Sequence, residues 1–239
     1  MKLLSSLWNK MPESSLKRLI RSYKFNKQSF VYKKSSHIFH DIYEGKTNLW
    51  GQEESKSGGG STLAATAALR KILPEIIEQY HVTSMLDASC GDYNWMKTVQ
   101  KKCHYIGGDI VSALIENNQK LYADEKVQFQ VLDITKDDLP KVDLIFCREC
   151  LQHLSDENVK KTLNNFKRNG AKYLLVTSFP KTWRNWDILD GDYRPLNFRK
   201  KPFCFPKPIL EIEETKRGKY DIGFDKRMYL YELNTINNL

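Results

Sequence analysis

Residues 82–177 alternate between apolar runs of strand length and segments of helical pattern, and three of the apolar runs end on an aspartate. The runs are Val82–Asp87, Tyr105–Asp109, Val127–Asp133, Val142–Cys147 and Tyr173–Thr177. Helices are predicted over Tyr93–Lys101, Ser112–Tyr122 and Ser155–Arg168. Strands separated by helix-length segments cannot close as tight hairpins, so this order predicts an α/β fold with a parallel sheet and helices on both faces. Asp87, Asp109 and Asp133 would then line one edge of that sheet. In open sheets of this kind, ligands sit at the carboxyl ends of the strands where the strand order reverses. The small-residue turn Ala88-Ser-Cys-Gly-Asp92 follows the first acid. It reads either as an ordinary strand-to-helix turn or as a cradle that lets backbone approach a ligand closely.

The flanks extend this frame. Leu63, Ala67, Leu69, Ile72, Leu73 and Ile76 recur at helical spacing, which predicts a helix over Thr62–Gln79 with Ser61 as N-cap and Pro74 as a point of kinking. Ile209–Glu214 and Lys226–Leu233 read as two further strands, an antiparallel hairpin that brings the sheet to seven. Between them and the last parallel strand, residues 180–208 are irregular and rich in Pro, Trp and Phe. A stretch of that length inside a domain is usually functional.

Charge divides the chain. Residues 1–36 hold nine basic residues, from Lys2 to Lys34, against one acid, Glu13, which is most of the net charge of +9. The chain therefore reads as a basic helical arm over 1–40 and a nearly neutral domain over 41–239. The arm is either a solvated helical face or a contact for an acidic partner or the inner face of a membrane. No apolar run approaches the length of a membrane span. The five cysteines, Cys90, Cys103, Cys147, Cys150 and Cys204, form no disulfide framework, which predicts a reducing, cytoplasmic setting.

The motifs in order resemble a known family. Leu86-Asp-Ala-Ser-Cys-Gly-Asp92, Ile106-Gly-Gly-Asp109, Leu132-Asp-Ile134 and Asp143-Leu-Ile-Phe-Cys147 are similar to the successive motifs of class I S-adenosylmethionine-dependent methyltransferases. Asn48-Leu-Trp-Gly, Glu54-Ser-Lys-Ser-Gly, Cys147-Arg-Glu-Cys-Leu-Gln-His-Leu154 and Arg194-Pro-Leu-Asn197 further resemble a bacterial subgroup associated with capsular and surface polysaccharides. The resemblance covers roughly residues 40–235. It implies a Rossmann-like methyltransferase fold, S-adenosyl-L-methionine as cofactor and S-adenosyl-L-homocysteine as product. It further implies that Trp50, Ser57, Gly58 and residues Asp87, Ala88, Ser89, Cys90 and Gly91 cradle the methionine part. Asp109 with Ile110 would take the ribose, Asp133 with Ile134 the adenine edge, and Cys147 and Arg148 would lie beside the methyl group. The family turn has three glycines; here Ser89 and Tyr93 stand in two of those places and Gly91 alone remains.

The acceptor decides the rest of the chemistry. A neutral amine attacks a sulfonium methyl unaided, whereas an alcohol needs a base to remove its proton. His153 is the first candidate base, with Glu149 and Asp92 behind it. Trp95, Arg148, Trp183, Asn185, Arg194 and Asn197 are candidates to hold the acceptor, a nucleotide-linked or polymer-bound sugar in the subgroup reading. No His/Asp/Glu cluster shows metal-ligand spacing, so no metal is expected. Two other readings compete. One is an RNA or protein methyltransferase using the basic arm, although the nearly neutral domain leads to no nucleic-acid partner being expected. The other is a non-catalytic binding module, motivated by the missing glycines. The sequence leaves the oligomeric state open.

Overall fold

A computed structural model of the chain describes residues 35–46, 54–214 and 226–236. The predicted helix around Leu16–Tyr23, the rest of the basic arm up to residue 34, and Trp50 lie outside the described residues.

Seven strands form one sheet: β1 (Ser84–Ala88), β2 (His104–Asp109), β3 (Val127–Val131), β4 (Leu144–Cys147), β5 (Tyr173–Ser178), β6 (Leu210–Glu213) and β7 (Arg227–Glu232). Their order across the sheet is β3-β2-β1-β4-β5-β7-β6. Strands β1 to β5 pair in parallel, and β7 runs antiparallel to both β5 and β6. The chain first builds outward from β1 through β2 to β3, then restarts on the other side of β1 with β4. The strand order thus reverses between β1 and β4, where a ligand crevice is expected.

Side-chain alternation distributes the core over both faces. Met85, Tyr105, Leu144, Phe146, Leu175 and Leu230 pack on one side against Leu69, Leu73, Ile76 and Ile77 of the helix α2 (Ala67–Gln79), and Ile115 of α3 (Ser112–Tyr122) joins them. Leu86, Ile145, Leu174, Tyr229 and Tyr231 pack on the other against Val159, Leu163 and Phe166 of α4 (Asp156–Asn169) and against Phe198, Phe203 and Phe205. The sheet, the parallel and antiparallel parts and the helices on both faces agree with expectation.

The differences are local. The helix expected from Thr62 begins at Ala67, because Gly59–Ser61 closes a single 3-10 turn and Thr66 takes the N-cap position instead of Ser61. Pro74 sits inside α2 without ending it. The helix expected over Tyr93–Lys101 is reduced to one 3-10 turn, Met96–Thr98. Tyr93 adopts φ +58°, and the Lys101 ammonium donates to the carbonyls of Met96 and Val99, so a side chain takes acceptors that a helix would have used. An unforeseen helix, α1 (Ser35–Tyr43), straddles the boundary placed at residue 40. Ile38 and Ile42 are its buried stripe, and Gly191 accommodates it: a Cβ there would lie 2.5 Å from Ile38 Cδ1.

Candidate active site

A cleft lies over the carboxyl ends of β1 to β4, lined by Phe39, Tyr43, Ser89, Asp109, Ile110, Leu132, Asp133, Ile134, Thr135, Glu149, Cys150, His153 and Leu154. Its position at the reversal of strand order follows from the topology above. Its walls are mostly apolar, with a few polar groups converging on them, the usual make-up of a small-molecule site.

Asp109 is the best-placed polar group. It ends β2, is almost fully buried, and accepts the N–H of Gly91 at 3.0 Å on one oxygen and that of Val111 at 3.1 Å on the other. Burial pushes its carboxyl up to about 6 against the lowering effect of these backbone bonds. Each carboxylate oxygen has a second lone pair, so the group can still accept two hydroxyls.

The turn that follows β1 is braced from behind. Gly91 has φ +56°, and a Cβ on it would fall 2.2 Å from Ser57 Oγ. Ser57 is fixed in turn by the Tyr43 hydroxyl at 2.8 Å and by Asp92. Asp92 accepts from the Ser55 hydroxyl, the Lys56 N–H and the Ser57 hydroxyl. Its carboxylate is consumed in tying residues 55–57 to the turn, and it does not line the cleft; this corrects the reading of Asp92 as a candidate base. Ser57 supports the turn without lining the cleft, and Gly58 bonds only Ser55 and Ser61 of its own segment among the backbone bonds described. Ala88 and Cys90 are buried, and burial pushes the Cys90 thiol well up.

The three acids are not equivalent. Asp87 lies on the same face of the sheet as Asp109 but deeper and outside the cleft lining, and accepts the Tyr105 hydroxyl at 2.7 Å. Burial raises its carboxyl to about 7 despite that bond. Asp133 lies beyond the end of β3 and reaches the cleft, but its carboxylate closes a local turn through Thr135 and pairs with Lys136 at 3.0 Å. Burial alone would raise it, and those partners hold it below the usual carboxylate range.

Asp87 therefore carries a pH signature. An acid whose folded-state value is raised stays protonated in the folded protein over a range where the unfolded chain has already ionised, so it costs stability as pH rises from its ordinary value toward 7. Asp87→Asn keeps an acceptor for Tyr105 and removes the charge. Its melting temperature should match the wild type near pH 4 and exceed it increasingly up to pH 7, with a constant gain above. Equal melting temperatures at pH 8 would show that the buried carboxyl carries no such cost.

On the β4 side, His153 lines the cleft, with Nδ1 2.8 Å from the Asp192 carbonyl and its ring 5.6 Å from Tyr193. Burial lowers its basicity, opposed by the Asp192 carbonyl and the charge of Glu149. A neutral ring that donates from Nδ1 carries its lone pair on Nε2. Glu149 also lines the cleft; its N–H bonds Thr177 Oγ1 at 2.9 Å and its carboxylate bonds Lys226 Nζ at 2.5 Å.

The predicted acceptor residues are corrected almost throughout. Arg148 turns away from the cleft into a buried pair with Glu214 and lies 5.5 Å from the Trp95 ring, and Trp95 is itself buried against Phe146. Arg194 is fully buried and donates to the Leu154 carbonyl and to Asp156 at 2.7 Å. Asn185 accepts the Asn197 N–H and donates to the carbonyls of Asn197 and Lys201, while Asn197 donates to those of Pro180 and Thr182. These polar groups hold the 180–208 loop to itself. Trp183 is exposed but outside the cleft lining. Cys147 is buried at the end of β4, and Cys150 reaches the cleft in its place.

Phe39 and Tyr43 were missed. Their signal is the apolar spacing across residues 38–43, which a boundary at 40 divides. Among the described residues, His40, Asp41 and Glu44 bring three ligand-type atoms together on the surface of α1, where Lys46 already pairs with both acids.

Comparisons with known proteins agree with this geometry. Residues 85–171 match the family described as "Methyltransferase domain". The fold is similar to the 1,6-didemethyltoxoflavin-N1-methyltransferase of Burkholderia thailandensis, solved with 1,6-didemethyltoxoflavin and S-adenosylhomocysteine. The identity is 14%, over 82% of this chain and 85% of that one, with a TM-score of 0.54. It is also similar to the methyltransferase domain of bacterial CtHen1, at 11% identity over 70% of this chain and 99% of that one, with a TM-score of 0.52. No sequence among the curated proteins matches the chain. Residues 85–171 thus carry the likeness to a methyltransferase domain, and this likeness together with the fold supports an S-adenosylmethionine-dependent enzyme. The residues present fit that cofactor: Asp109 retains acceptor capacity for the ribose hydroxyls, and Leu132 and Ile134 offer apolar walls for a base. Among the described residues, no helix is long and apolar enough to cross a membrane.

Proposed function

We propose that this protein is an O-methyltransferase that methylates a hydroxyl of a nucleotide-linked or polymer-bound sugar in bacterial capsular or surface polysaccharide synthesis. The observation that carries the O-methyl part is His153. It stands on the cleft with Nδ1 directed at a backbone carbonyl, and burial favours its neutral form, so Nε2 is the basic nitrogen. An alcohol acceptor needs such a group. The sugar assignment rests on the motif resemblance around Asn48–Gly51, Cys147–Leu154 and Arg194–Asn197.

S-adenosylmethionine, when bound, supplies a methyl group already activated by its sulfonium charge. The chain's own residues do the remainder. Asp109 accepts the ribose hydroxyls, Tyr43 and Phe39 cover the cleft from α1, and Leu132, Ile134 and Leu154 exclude water from its apolar walls. His153 Nε2 accepts the proton of the acceptor hydroxyl as its oxygen attacks.

The wild type, incubated with methyl-labelled cofactor and a panel of nucleotide sugars and capsular oligosaccharides, should place label on a hydroxyl oxygen. His153→Asn should lower that turnover roughly 10²–10⁴-fold and leave cofactor affinity unchanged. Label on an amine, or full turnover in the variant, would remove the need for a base and with it this reading.

A further inference from the structure

Beyond the cleft, four charges run in alternating sign through the protein. Arg148 pairs with Glu214 in full burial, Glu214 pairs with Lys226 at 2.9 Å, and Lys226 pairs with Glu149 at 2.5 Å. Glu214 follows β6 directly and Lys226 immediately precedes β7, so the two ends of the hairpin connection meet at this chain of charges. Its last member, Glu149, lines the cleft that holds His153.

The methyl-transfer chemistry does not account for Lys226, yet its place has a consequence for the base. His153 can accept a proton only while its ring is neutral. The charges that act on it are those of Glu149, which lines the same cleft from the segment after β4, and of Asp192 and Arg194 on the 180–208 loop; Tyr43 shares the cleft and the Tyr193 ring lies 5.6 Å away. A carboxylate beside an imidazole favours the protonated form, which would cancel the effect of burial. Lys226 is in direct contact with that carboxylate, at 2.5 Å, and holds it.

We propose that Lys226 is a positioning residue for methyl transfer: its ammonium holds the Glu149 carboxylate in place, away from the His153 ring, and so leaves that ring free to take the acceptor's proton. This inference rests on His153 acting as the base. Glu149 is then not a second base but the group through which the hairpin sets the state of the first. Loss of Lys226 would release the Glu149 carboxylate from its contact, let it approach His153 and move the ring's protonation upward in pH.

The test reads the imidazole directly on the full, cofactor-free chain, by following the His153 Cε1–H resonance through a pH titration, with the signal assigned by its loss in His153→Asn. Lys226→Met should raise the midpoint, Glu149→Gln should lower it, and Lys226→Arg should return it toward the wild type. In the Glu149→Gln background, Lys226→Met should move the midpoint far less than it does alone. Equal shifts in both backgrounds would mean that Lys226 acts by its bare field and not through Glu149, and no shift in either would remove its role; both overturn the proposal. If Lys226→Met does not fold, Lys226→Gln, which can still bond Glu214, is read in its place, and the opposite shift in Glu149→Gln stands on its own. The titration needs no acceptor. Its failure is therefore distinct from failure of the O-methyl reading, which the labelling experiment decides.

Discussion

Asp109→Asn should bind S-adenosylhomocysteine roughly a hundredfold more weakly than the wild type, about 2.7 kcal/mol. Two effects add. A hydrogen bond to a charged acceptor contributes about 1.5–3 kcal/mol, and the amide withdraws that charge from the ribose hydroxyls. In addition, both carboxylate oxygens accept backbone N–H groups, from Gly91 and Val111. An asparagine has one carbonyl oxygen, so its amine must face one of those donors. The turn that carries Gly91 is loosened at the same stroke. Calorimetry at pH 7 reads the loss directly, and an affinity within tenfold of the wild type would mean that the acid at the end of β2 does not grip the cofactor.

The same group gives a pH dependence with a definite sign. Its carboxyl is raised to about 6 by burial. Hydroxyl donors prefer the ionised form, so wild-type affinity for S-adenosylhomocysteine should rise from pH 5 to pH 7 and then level. Asp109→Asn should lose that rise. A rise of equal size in the variant would assign it to another group, such as His153.

What the sequence made legible follows from which forces are local. The strands of the parallel sheet are short apolar runs, and alternate residues of β1, β4 and β5 are buried on opposite faces, so each run had to be covered twice. The helix α4 could be read from its ends. Ser155 caps it, Asp156 and Glu157 occupy the first turn, Lys167 and Arg168 the last, and Gly170 closes it at φ +78°. The segment after β1 was misread because its pattern is helical while its hydrogen bonds are not. The decisive contact is the Lys101 side chain folding back on two carbonyls, which no periodicity records.

The cleft was legible where strands end and not in the long loop, for one physical reason. An acid that ends a strand beside a reversal of strand order has its position set by the sheet. A polar residue in a long loop has no such constraint, and the sequence is silent on whether it bonds a ligand or its own chain. In residues 180–208 the chain wins: Asp187 accepts the N–H of Asp156, Asp190 accepts that of Ser155, and Asn185 and Asn197 satisfy each other and the carbonyls around them. The loop satisfies the exposed amino end of α4 with its own acids. That also carries the Asp192 carbonyl to the His153 ring, so the loop serves the cleft by holding His153 and not by presenting Trp183 or Arg194.

Arg194 separates these two roles most sharply. Its side chain is fully buried, bonded to the Leu154 carbonyl and to Asp156 in the first turn of α4. Desolvation lowers its basicity, and the charges of Asp156, Asp187 and Asp190 oppose that effect. Removing one partner of such a pair leaves the carbonyl without its donor, Asp156 without its cation and a void in the packing. Arg194→Ala should therefore cost about 3–5 kcal/mol of stability. For a chain of this size that is a fall of roughly 10 °C or more in melting temperature. Because the guanidinium lies outside the cleft, S-adenosylhomocysteine affinity measured well below the new transition should stay within a fewfold of the wild type. A direct role in acceptor binding predicts the reverse, an unchanged melting temperature with turnover lost. Arg194→Met, which refills the volume without the charge, should recover part of the packing but not the bond to Leu154, and so fall between the two. A variant as stable as the wild type would mean that the loop is not anchored through this residue, and its hold on His153 would then run through the Gly191 and Asp192 backbone.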